Sequence, residues 1–404
     1  MRDGWKALPL SDVVEHTIGG VWGGESGTDE VEVTVVRSTE FTKRGYLNFE
    51  TGVSRSIKHS QLKSRELKEG DILLEKSGGG PDQPVGRVVY VTAEIPNKFV
   101  CSNFVQLVRP NSLEIEPLLL FHIMWQWHAI NRTLEFQAQT TGIRNLRTPD
   151  YLEQEINLPP LTEQKRIVDL ISSVDSYIEA LQGQLESAKE SRNAVLHELL
   201  TAGGDDWVET TLGEVALLNP SEPALSDTAH FAPMDAVHVG KRWLQYTEEK
   251  RDRNGARARA GDVLFARITP CLENGKIAQV QSDLERCGGS TEFIVVRGTE
   301  KCTSDFLYFW CTLKVNRDKA AELMTGTTGR QRLSWQDLGS LSLWLPSITE
   351  QERIVSNISE FDSLIESTES AITKSQNLRS GLLSDLLSGT HEIPASYDKV
   401  MGAA

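Results

Sequence analysis

Two long segments of the chain carry apolar residues with heptad spacing. In the first segment, these positions step alternately by four and three residues from Ile167 to Leu199. In the second, the same steps run from Ile354 to Leu386. A seam kept over about four heptads is typical of helices that pack along one another. The pattern therefore predicts two long helices that form a coiled coil.

Each predicted seam contains one arginine at the same position, which we expect to hold the coil together. The residues expected to make coiled-coil or subunit contacts are Glu163, Gln164, Ile167, Ile171, Ile178 and Arg192 in the first segment, and Glu350, Gln351, Ile354, Ile358, Ile365 and Arg379 in the second.

The same short sequence begins both segments. Residues 158–168 read Leu-Pro-Pro-Leu-Thr-Glu-Gln-Lys-Arg-Ile-Val, and residues 345–355 read Leu-Pro-Ser-Ile-Thr-Glu-Gln-Glu-Arg-Ile-Val, so eight of eleven positions are identical. Thr162 and Thr349 are the predicted N-caps, and Glu352 completes a capping-box pattern with Thr349. The two threonines lie 187 residues apart, far beyond the period of about 20 to 50 residues of a solenoid repeat.

The regions ahead of the helices match more loosely. Gly70-Asp71 pairs with Gly261-Asp262, and Thr141-Gly142 pairs with Thr328-Gly329. We predict α/β (α+β) globular domains in two copies, separated by two long α-helices that form an antiparallel coiled coil, in an internal pseudo-two-fold duplication. The predicted boundaries are residues 1–160 and 204–347 for the globular domains, 161–203 and 348–390 for the helices, and 391–404 for a C-terminal tail.

Composition is that of a globular protein. The 404 residues, 39% of them hydrophobic, suffice for two to four domains. The N-terminus lacks an apolar signal-peptide core, and the longest apolar patch, from Leu118 to Ile130, is interrupted by polar residues. This predicts a cytoplasmic protein without a membrane segment. The five cysteines form no Cys-x-x-Cys pair, so we expect reduced, mostly buried thiols.

Charge is distributed unevenly along the chain. The formal net charge is −15, which by itself argues against contact with phosphates. However, seven basic residues accompany two acidic ones between Arg37 and Arg65, and nine accompany five between Lys241 and Lys276. Each globular region thus contains a basic stretch, which is either a nucleic-acid contact or a solvated polar surface.

The common catalytic motifs are incomplete. The segment from Asn219 to Glu222 resembles the catalytic loop of adenine methyltransferases but lacks its second proline and its aromatic residue. Gly275-Lys276 lacks the upstream glycine and the following hydroxyl residue of a phosphate-binding loop. His122 and His128 lie six residues apart, unlike two ligands on one helix face. We expect no catalytic residue and no metal site on this chain.

Two diverged regions, each followed by a Pro-x-x-Thr-Glu-Gln-x-Arg-Ile-Val helix, strongly resemble the specificity subunit of type I restriction-modification systems. The resemblance covers the whole chain. Its most specific parts are residues 158–168 with 345–355, supported by Gly70-Asp71-Ile72-Leu73 with Gly261-Asp262-Val263-Leu264.

The resemblance implies a division of labour between subunits. Residues 1–160 and 204–347 would be target-recognition domains that each read one half of a bipartite double-stranded DNA target, and the helices would fix the spacing. The implied partners are two methyltransferase subunits and, in a complete complex, restriction subunits. No cofactor is expected on this chain, because S-adenosylmethionine, ATP and Mg²⁺ would bind to the partners.

Reading base edges requires Arg or Lys for guanine and Asn or Gln for adenine, with roughly 1–3 kcal/mol for each good bidentate contact. Composition and loop position select as candidate DNA contacts Lys43, Arg44, Arg55, Lys58, Lys76, Arg87 and Arg144 in the first region, and Arg242, Arg251, Arg253, Arg267, Asn274, Lys276, Arg330 and Arg332 in the second.

Two other functions stay open at this point. A self-contained DNA modification enzyme with a degenerate site would transfer methyl groups without partners. A coiled-coil adaptor without DNA specificity would show no preference among duplex sequences. The helices would then serve to join copies of the chain or other proteins.

Overall fold

The computed structural model divides the chain into two compact units. Unit 1 comprises Met1–Ala180 with Ile372–Ala404, and unit 2 comprises Leu181–Ala371. The two long helices cross this division, so each unit contains one globular region and a segment of both helices. The structure describes residues 4–78, 84–92, 95, 98–140, 143–204, 206–225, 229–250, 255–327, 329–394 and 396–400.

The α-helices of the described chain include two of 41 residues each, α4 and α9, where the heptad pattern predicts them. In chain order the helices are α1 (His59–Arg65), α2 (Pro117–Ala129), α3 (Thr148–Leu152), α4 (Leu161–Thr201), α5 (Leu212–Val215), α6 (Ser304–Thr312), α7 (Lys314–Glu322), α8 (Trp335–Gly339), α9 (Ile348–Ser388) and α10 (Tyr397–Val400).

The strands are short and belong to the globular regions. In unit 1 they are β1 (Lys6–Pro9), β2 (Val14–Gly19), β3 (Val31–Val36), β4 (Val53–Ile57), β5 (Ile72–Glu75), β6 (Ser77–Gly78), β7 (Val88–Tyr90), β8 (Phe99–Cys101), β9 (Val105–Pro110), β10 (Gln137–Thr140), β11 (Ile143–Leu146) and β12 (Glu155–Leu158). In unit 2 they are β13 (Val208–Thr211), β14 (Leu217–Leu218), β15 (Ala229–Ala232), β16 (Glu248–Lys250), β17 (Ala256–Arg259), β18 (Val263–Ala266), β19 (Ile277–Gln279), β20 (Arg286–Gly289), β21 (Phe293–Arg297) and β22 (Ser342–Leu345).

The globular region of unit 1 is built around a four-stranded antiparallel sheet in the order β2-β9-β5-β7. A second sheet, β4-β3-β8, contains a parallel pair of β3 and β8. The central strand β5 is buried along its whole length. Ile72 and Leu74 enter the core beneath α2, whereas Leu73 enters a second core on the opposite face. A strand covered on both faces loses the usual alternation of apolar and polar residues.

The globular region of unit 2 repeats this plan. Its sheets have the orders β14-β21-β18-β19 and β16-β15-β20-β17, and β15 runs parallel to β20. The central strand β18 sends Val263 and Phe265 into the core beneath α6, and Leu264 into a second core. The predicted duplication of an α/β domain is therefore confirmed.

The repeated Gly-Asp pair forms a turn that leads into each central strand. Gly70 and Gly261 have φ values of +85° and +84°, which favour glycine. Asp71 accepts two hydrogen bonds from Arg109, at 2.7 and 2.8 Å. Asp262 accepts two from Arg297, at 2.8 and 2.7 Å. The motif thus anchors a buried ion pair in both copies, a role that the sequence did not reveal.

Within each unit, segments of α4 and α9 share the apolar core of the globular region. In unit 1, Ile167 and Ile171 of α4 lie in one core with Leu383 and Leu386 of α9. In unit 2, Leu196 and Leu200 of α4 lie in one core with Ile354 and Ile358 of α9. In both units an early part of one helix is beside a late part of the other, so the segments run antiparallel, as predicted.

The buried stripe of each long helix shifts by one residue near its C-terminal end. Leu196 and Leu383 are buried, whereas the predicted seam residues Val195 and Leu382 are only half-buried. A straight α-helix drifts by about 20° per heptad relative to a strict seven-residue repeat. The drift is tolerated because these turns pack against a globular core as well as against the partner helix.

Both long helices begin before the predicted N-caps. The N–H groups of Glu163 and Gln164 donate to the carbonyl of Pro160, at 2.9 and 3.0 Å. In α9, the N–H of Gln351 donates to the Ser347 carbonyl, and that of Glu350 to Ser347 Oγ at 3.3 Å. Thr162 and Thr349 lie exposed within the first turn, so their prediction as N-caps, and the capping box with Glu352, was wrong.

The apolar helices α2 and α6 place aromatic side chains in the cores of the globular regions. His122 and Trp127 are buried in α2, and Phe309 and Trp310 are buried in α6. The five cysteines are free thiols, and all except the half-buried Cys271 are buried. Among the described residues, no helix combines the length and apolar character needed to cross a membrane.

Candidate nucleic-acid interface

Gln164 and Gln351 join the start of each long helix to the globular region of its own unit. Gln164 Nε2 donates to the carbonyls of Glu114 and Pro159, at 3.0 and 2.9 Å, and Oε1 accepts from the Glu116 N–H at 2.9 Å. Gln351 makes the same three contacts with Lys301, Pro346 and Thr303, at 2.9 to 3.0 Å. Both side chains are buried. The structure thus gives these predicted contact residues a role within the unit.

The neighbouring glutamates differ from one another. Glu163 is buried and accepts a hydrogen bond from Trp5 Nε1 at 3.2 Å. Glu350 is more exposed and forms a bidentate ion pair with Arg353, at 2.6 and 2.8 Å. The hydrogen bond from Arg353 holds the pKa of the Glu350 carboxyl below its ordinary value. Of the two, only Glu350 is accessible enough to contact a partner subunit.

The remaining predicted contact residues lie inside the units. The six isoleucines among these predicted contacts are all buried. Arg192 of α4 pairs with Asp362 of α9 in unit 2, and Arg379 of α9 pairs with Asp175 of α4 in unit 1. The sequence did not single out the two aspartates, although each matches the other at the 187-residue offset, as the arginines do.

Each arginine of the seam also contacts the apolar helix of its globular region. Arg379 Nη2 lies 3.0 Å from Nδ1 of His122 in α2, so the ring accepts this hydrogen bond. At the equivalent position in α6, Phe309 has its ring beneath the guanidinium of Arg192, 5.8 Å from centroid to Cζ. Burial, with the charge of Arg379, lowers the pKa of His122 to about 3. His122 is therefore a neutral acceptor whose charge does not change near neutral pH.

In each globular region, one loop contacts a long helix through a basic residue. Arg44 Nη1 lies 2.7 Å from Glu179 Oε1 of α4, and both side chains are more than half exposed. Lys241 Nζ lies 2.6 Å from Glu369 Oε2 of α9. The ion pair gives Arg44, a predicted DNA contact, an alternative role in holding its loop.

Arg242, another predicted DNA contact, is largely buried. Its guanidinium donates to Gln279 Oε1 at 2.8 Å, pairs with Asp305 at 2.6 Å, and stacks near the rings of Trp243 and Phe309. Only 15% of the side chain is exposed. Because its donors are engaged within the unit, we assign Arg242 to packing. Its counterpart in unit 1 is Gly45, whose carbonyl accepts the same backbone hydrogen bond, from Tyr90, that the Arg242 carbonyl accepts from Gln279.

The other candidates of the first region are spread over its surface. Arg87 is paired with the buried carboxylate of Glu75, at 2.8 Å through both Nε and Nη2. Arg55 lies over the ring of Trp22, 4.5 Å from its centroid. Lys43 and Lys58 are exposed, whereas Lys76 and Arg144 are partly buried. As DNA contacts all six stay predictions.

Three of the candidate DNA contacts of the second region lie on neighbouring segments of the chain. Arg267 and Arg332 flank Glu292, and Arg330 is exposed nearby on the same loop as Arg332. Lys276 donates to the Met234 carbonyl at 3.1 Å, and Asn274 is exposed in a turn. Arg251 and Arg253 lie outside the described residues.

The described residues offer cavities but no metal cluster. A cavity of about 220 Å³ in unit 1 is lined by Phe41, Lys43, Arg87, Trp125 and His128, among others. One of about 360 Å³ in unit 2 lies between the loop at Lys241 and the long helices, and its charged side chains are mostly paired. No group of three or more His, Cys, Asp or Glu side chains in the described part is placed to hold a metal ion.

Comparison with known families matches both halves of the chain. A family model described as type I restriction modification DNA specificity domain matches residues 2–190 and 204–375. The putative type I restriction enzyme MjaX specificity subunit of Methanocaldococcus jannaschii is 22% identical over 426 residues, spanning 95% of this chain and 93% of that protein. The type I restriction enzyme EcoKI specificity subunit of Escherichia coli K12 is 20% identical over 452 residues, spanning 99% and 95%.

Solved structures share the fold. A chain from work on complex assembly and conformational transition of the type I R-M system has a TM-score of 0.62 at 18% identity, over 96% of this chain and 98% of that one. The S subunit of a type I restriction-modification system from M. genitalium has a TM-score of 0.56 at 16% identity, over 95% and 96%.

Proposed function

Because the chain belongs to the type I restriction modification DNA specificity domain family, we propose that each of its globular regions reads one half of a bipartite duplex target. The chain is then the sequence-reading subunit of a modification complex. Direct reading of base edges in the major groove is the task left to its exposed polar side chains.

The observation that supports this proposal is that the two units share their structural contacts and differ in their exposed side chains. Three sets of contacts recur in both units: the hydrogen bonds of Gln164 and Gln351, which we call the Gln clamp, the ion pair at the Gly-Asp turn, and the Arg-Asp pair of the long helices. The exposed basic residues recur at few equivalent positions. Two readers with one backbone plan and different surfaces are what a target with two unlike halves requires.

We assign to α4 and α9 the task of setting the spacing between the half-sites. Each helix has 41 residues, which corresponds to a rise of about 60 Å, compared with about 34–36 Å for one turn of duplex. Both helices contribute to both units. Under this proposal, a change in their length would alter the spacing and leave both reading surfaces as they are.

Partners complete the proposed complex. Two methyltransferase subunits would supply S-adenosylmethionine chemistry, and restriction subunits would add ATP- and Mg²⁺-dependent steps. This chain would carry no catalytic group. A net charge of −15 is compatible with DNA binding when partner subunits contribute many of the phosphate contacts. Exposed residues of the repeated motif, such as Thr162 and Lys165 of α4 and Thr349 and Glu352 of α9, offer surface for such a partner.

Binding selection with the assembled complex tests the proposal. The chain is co-expressed with its methyltransferase subunits, and the complex selects from a library of random duplexes at two salt concentrations. We expect enrichment of one bipartite sequence, with two defined halves and a fixed gap. Equal retention of all sequences, with affinity falling as salt rises, would identify an adaptor without DNA specificity.

Methyl transfer by this chain alone tests the alternative of a self-contained enzyme. The purified chain is incubated with duplex DNA and labelled S-adenosylmethionine, with and without methyltransferase subunits. We expect label in DNA only when the partners are present. Label transferred by the chain alone would favour the enzyme and overturn the subunit proposal.

A further inference from the structure

The two globular regions build one surface feature from the same backbone contacts. Tip 1 consists of Lys76, Ser77, Phe104, Asn145 and Leu146, and tip 2 consists of Arg267, Ile268, Glu292, Arg332 and Leu333. Each tip lies just after the central strand, β5 or β18, where two further segments of the chain meet it.

The backbone frames of the tips correspond bond by bond. In tip 1, the N–H of Lys76 donates to the Phe104 carbonyl at 3.0 Å, and that of Leu146 donates to the Lys76 carbonyl at 2.8 Å. In tip 2, Arg267 donates to Glu292 at 2.9 Å, and Leu333 donates to Arg267 at 2.8 Å. The strand register agrees as well, since Ser77 faces Asn145 and Ile268 faces Arg332. The two tips are therefore the same structural position in the two copies.

The side chains on this common frame are chemically different. Phe104 stands in tip 1 where Glu292 stands in tip 2, and Asn145 stands where Arg332 stands. Phe104 is 48% exposed, so its ring is available for contact with a ligand. The Arg332 side chain is 45% exposed, and that of its partner Glu292 is 24% exposed. Only the basic residue that ends the central strand, Lys76 or Arg267, keeps its charge in both copies.

In tip 2, the carboxylate of Glu292 orients Arg332. Nε and Nη2 of Arg332 donate to the two oxygens of Glu292 at 2.8 to 3.1 Å. The hydrogen bond from Arg332, together with the charges of Arg332 and Arg267, keeps the pKa of Glu292 below its ordinary value, so the pair stays ionised at neutral pH. Nη1 makes no hydrogen bond to any described residue and points its donors away from the carboxylate. A guanidinium held on one edge loses less conformational entropy when its other edge binds.

The surroundings of tip 2 favour an electron-rich ligand. Arg330 is exposed on the same loop, and Nε of Arg267 is buried without a hydrogen-bond partner among the described residues. Two arginines, Arg267 and Arg332, therefore act on one glutamate, and a third is exposed on the same loop as Arg332, within a chain of net charge −15. Guanine presents two acceptors, O6 and N7, that match the free edge of a guanidinium.

We propose that the two tips are equivalent reading positions, at which Arg332 reads a guanine of one half-site and Phe104 contacts a thymine methyl of the other. This inference rests on the proposed function, in which each globular region reads one half-site. It adds which residues discriminate and which base each one selects. The chemistry follows from the side chains, because an arginine edge matches guanine acceptors and an aromatic ring matches the methyl group.

The test measures base preference position by position. The complex with its methyltransferase subunits selects from a duplex library, and the experiment is repeated with Arg332→Gln, Arg332→Lys and Phe104→Ser. For Arg332→Gln we expect preference for guanine at one position of one half-site to fall by about 5- to 150-fold, with the other half-site unchanged. Arg332→Lys should lower it less, because a lysine keeps the charge but loses the planar pair of donors. Phe104→Ser should lower preference for thymine about four-fold, and only in the other half-site.

Lys314→Gln is the control, since Lys314 is an exposed basic residue of the same unit that is also paired with a carboxylate, that of Asp318 on α7, at 2.6 Å. It should leave every base preference unchanged. If Arg332→Gln weakens binding equally for all sequences, Arg332 contacts phosphate and the proposal is overturned. A wild-type target without guanine in the affected half-site also overturns it. A wild-type complex with no sequence preference would instead refute the proposed function itself.

Discussion

Arg192 of α4 donates a hydrogen bond from Nε to Oδ1 of Asp362 in α9, at 2.5 Å. When each partner is replaced by its counterpart 187 residues away, the pair becomes Arg379 and Asp175, which are also joined, with Nη2 and Oδ2 at 2.9 Å. The sum of the two residue numbers is the same for both pairs. From one pair to the other, the residue number therefore falls along α4 by as much as it rises along α9, which requires the two helices to be antiparallel. The duplication is thus expressed in the contacts as well as in the sequence.

The ion pair of unit 1 should contribute measurably to stability. The side chains of Arg379 and Asp175 are 15% and 35% exposed, so removal of one leaves the other partly buried and unpaired. We expect Asp175→Asn to lower the free energy of unfolding by about 1–3 kcal/mol, measured by urea denaturation of the full chain. The exposed Glu190 on the same helix provides a control, and Glu190→Gln should change it by less than about 0.5 kcal/mol. Equal effects of the two substitutions would contradict a structural role for the pair.

His122 should make unit 1 sensitive to acid. Its pKa is about 3 in the folded chain and about 6.5 in an unfolded chain. Between these values the unfolded state binds more protons, so stability is complete above pH 6.5 and is lost as the pH falls towards 3. His122→Phe places the residue of unit 2 at this site. We expect the stability of wild type relative to this variant to fall by roughly 1 kcal/mol per pH unit between pH 6 and pH 4. A difference that does not vary with pH would show that His122 is not buried as a neutral base.

The buried clamp residue Gln164 should contribute more to the free energy of unfolding than an exposed glutamine does. Gln164→Ala removes the partners of one N–H group and two carbonyls, each of which costs about 1 kcal/mol or more when buried and unpaired. We expect a loss of about 2–4 kcal/mol in the free energy of unfolding. Gln184→Ala, on the exposed face of the same helix, should be nearly neutral. The clamp would be disproved by similar urea midpoints for the two variants.

Gly45 is a position in unit 1 that leaves no room for a side chain. Its φ is +80°, and an added Cβ would lie 1.7 Å from Cζ3 of Trp125. Gly27 has a similar φ of +83° but open space around it, so Gly27→Ala reports the backbone strain alone, about 1 kcal/mol. We expect Gly45→Ala to cost about 1–3 kcal/mol more, because Trp125 has to move. Thermal unfolding of both variants measures the difference, and coincident midpoints would argue against the clash.

The spacer role predicts a separation of effects. A heptad inserted into α4 or α9 adds about 10 Å of helix, which corresponds to about three base pairs of duplex. We expect the modified sites in a cell that carries the complete system to change their gap and to keep both half-site sequences. Methylome sequencing reads both quantities at once. A changed half-site sequence would refute the separation between a spacing element and two reading elements.

The candidate site was predicted unevenly from the sequence. Helix spans and buried isoleucines follow from local periodicity, and both are found where the pattern puts them. The basic candidates follow only from residue type, and the structure distinguishes among them: Arg242 is packed, Arg44 is held against α4, and Arg332 is exposed and oriented. Residue type cannot make this distinction, because the carboxylate that engages one of these three arginines lies up to 135 positions away in the chain.

The sequence by itself determined the duplication, the two long helices and the family, because these depend on repeated residues at fixed intervals. The tertiary structure decided what the repeated residues do. It turned Gln164 and Gln351 inward as clamps and gave the capping of the helix starts to Pro160 and Ser347 in place of Thr162 and Thr349. It also brought Glu292 to Arg332 across 40 residues. Hydrogen bonds and ion pairs act over about 3 Å, and only the folded chain determines which distant residues come that close.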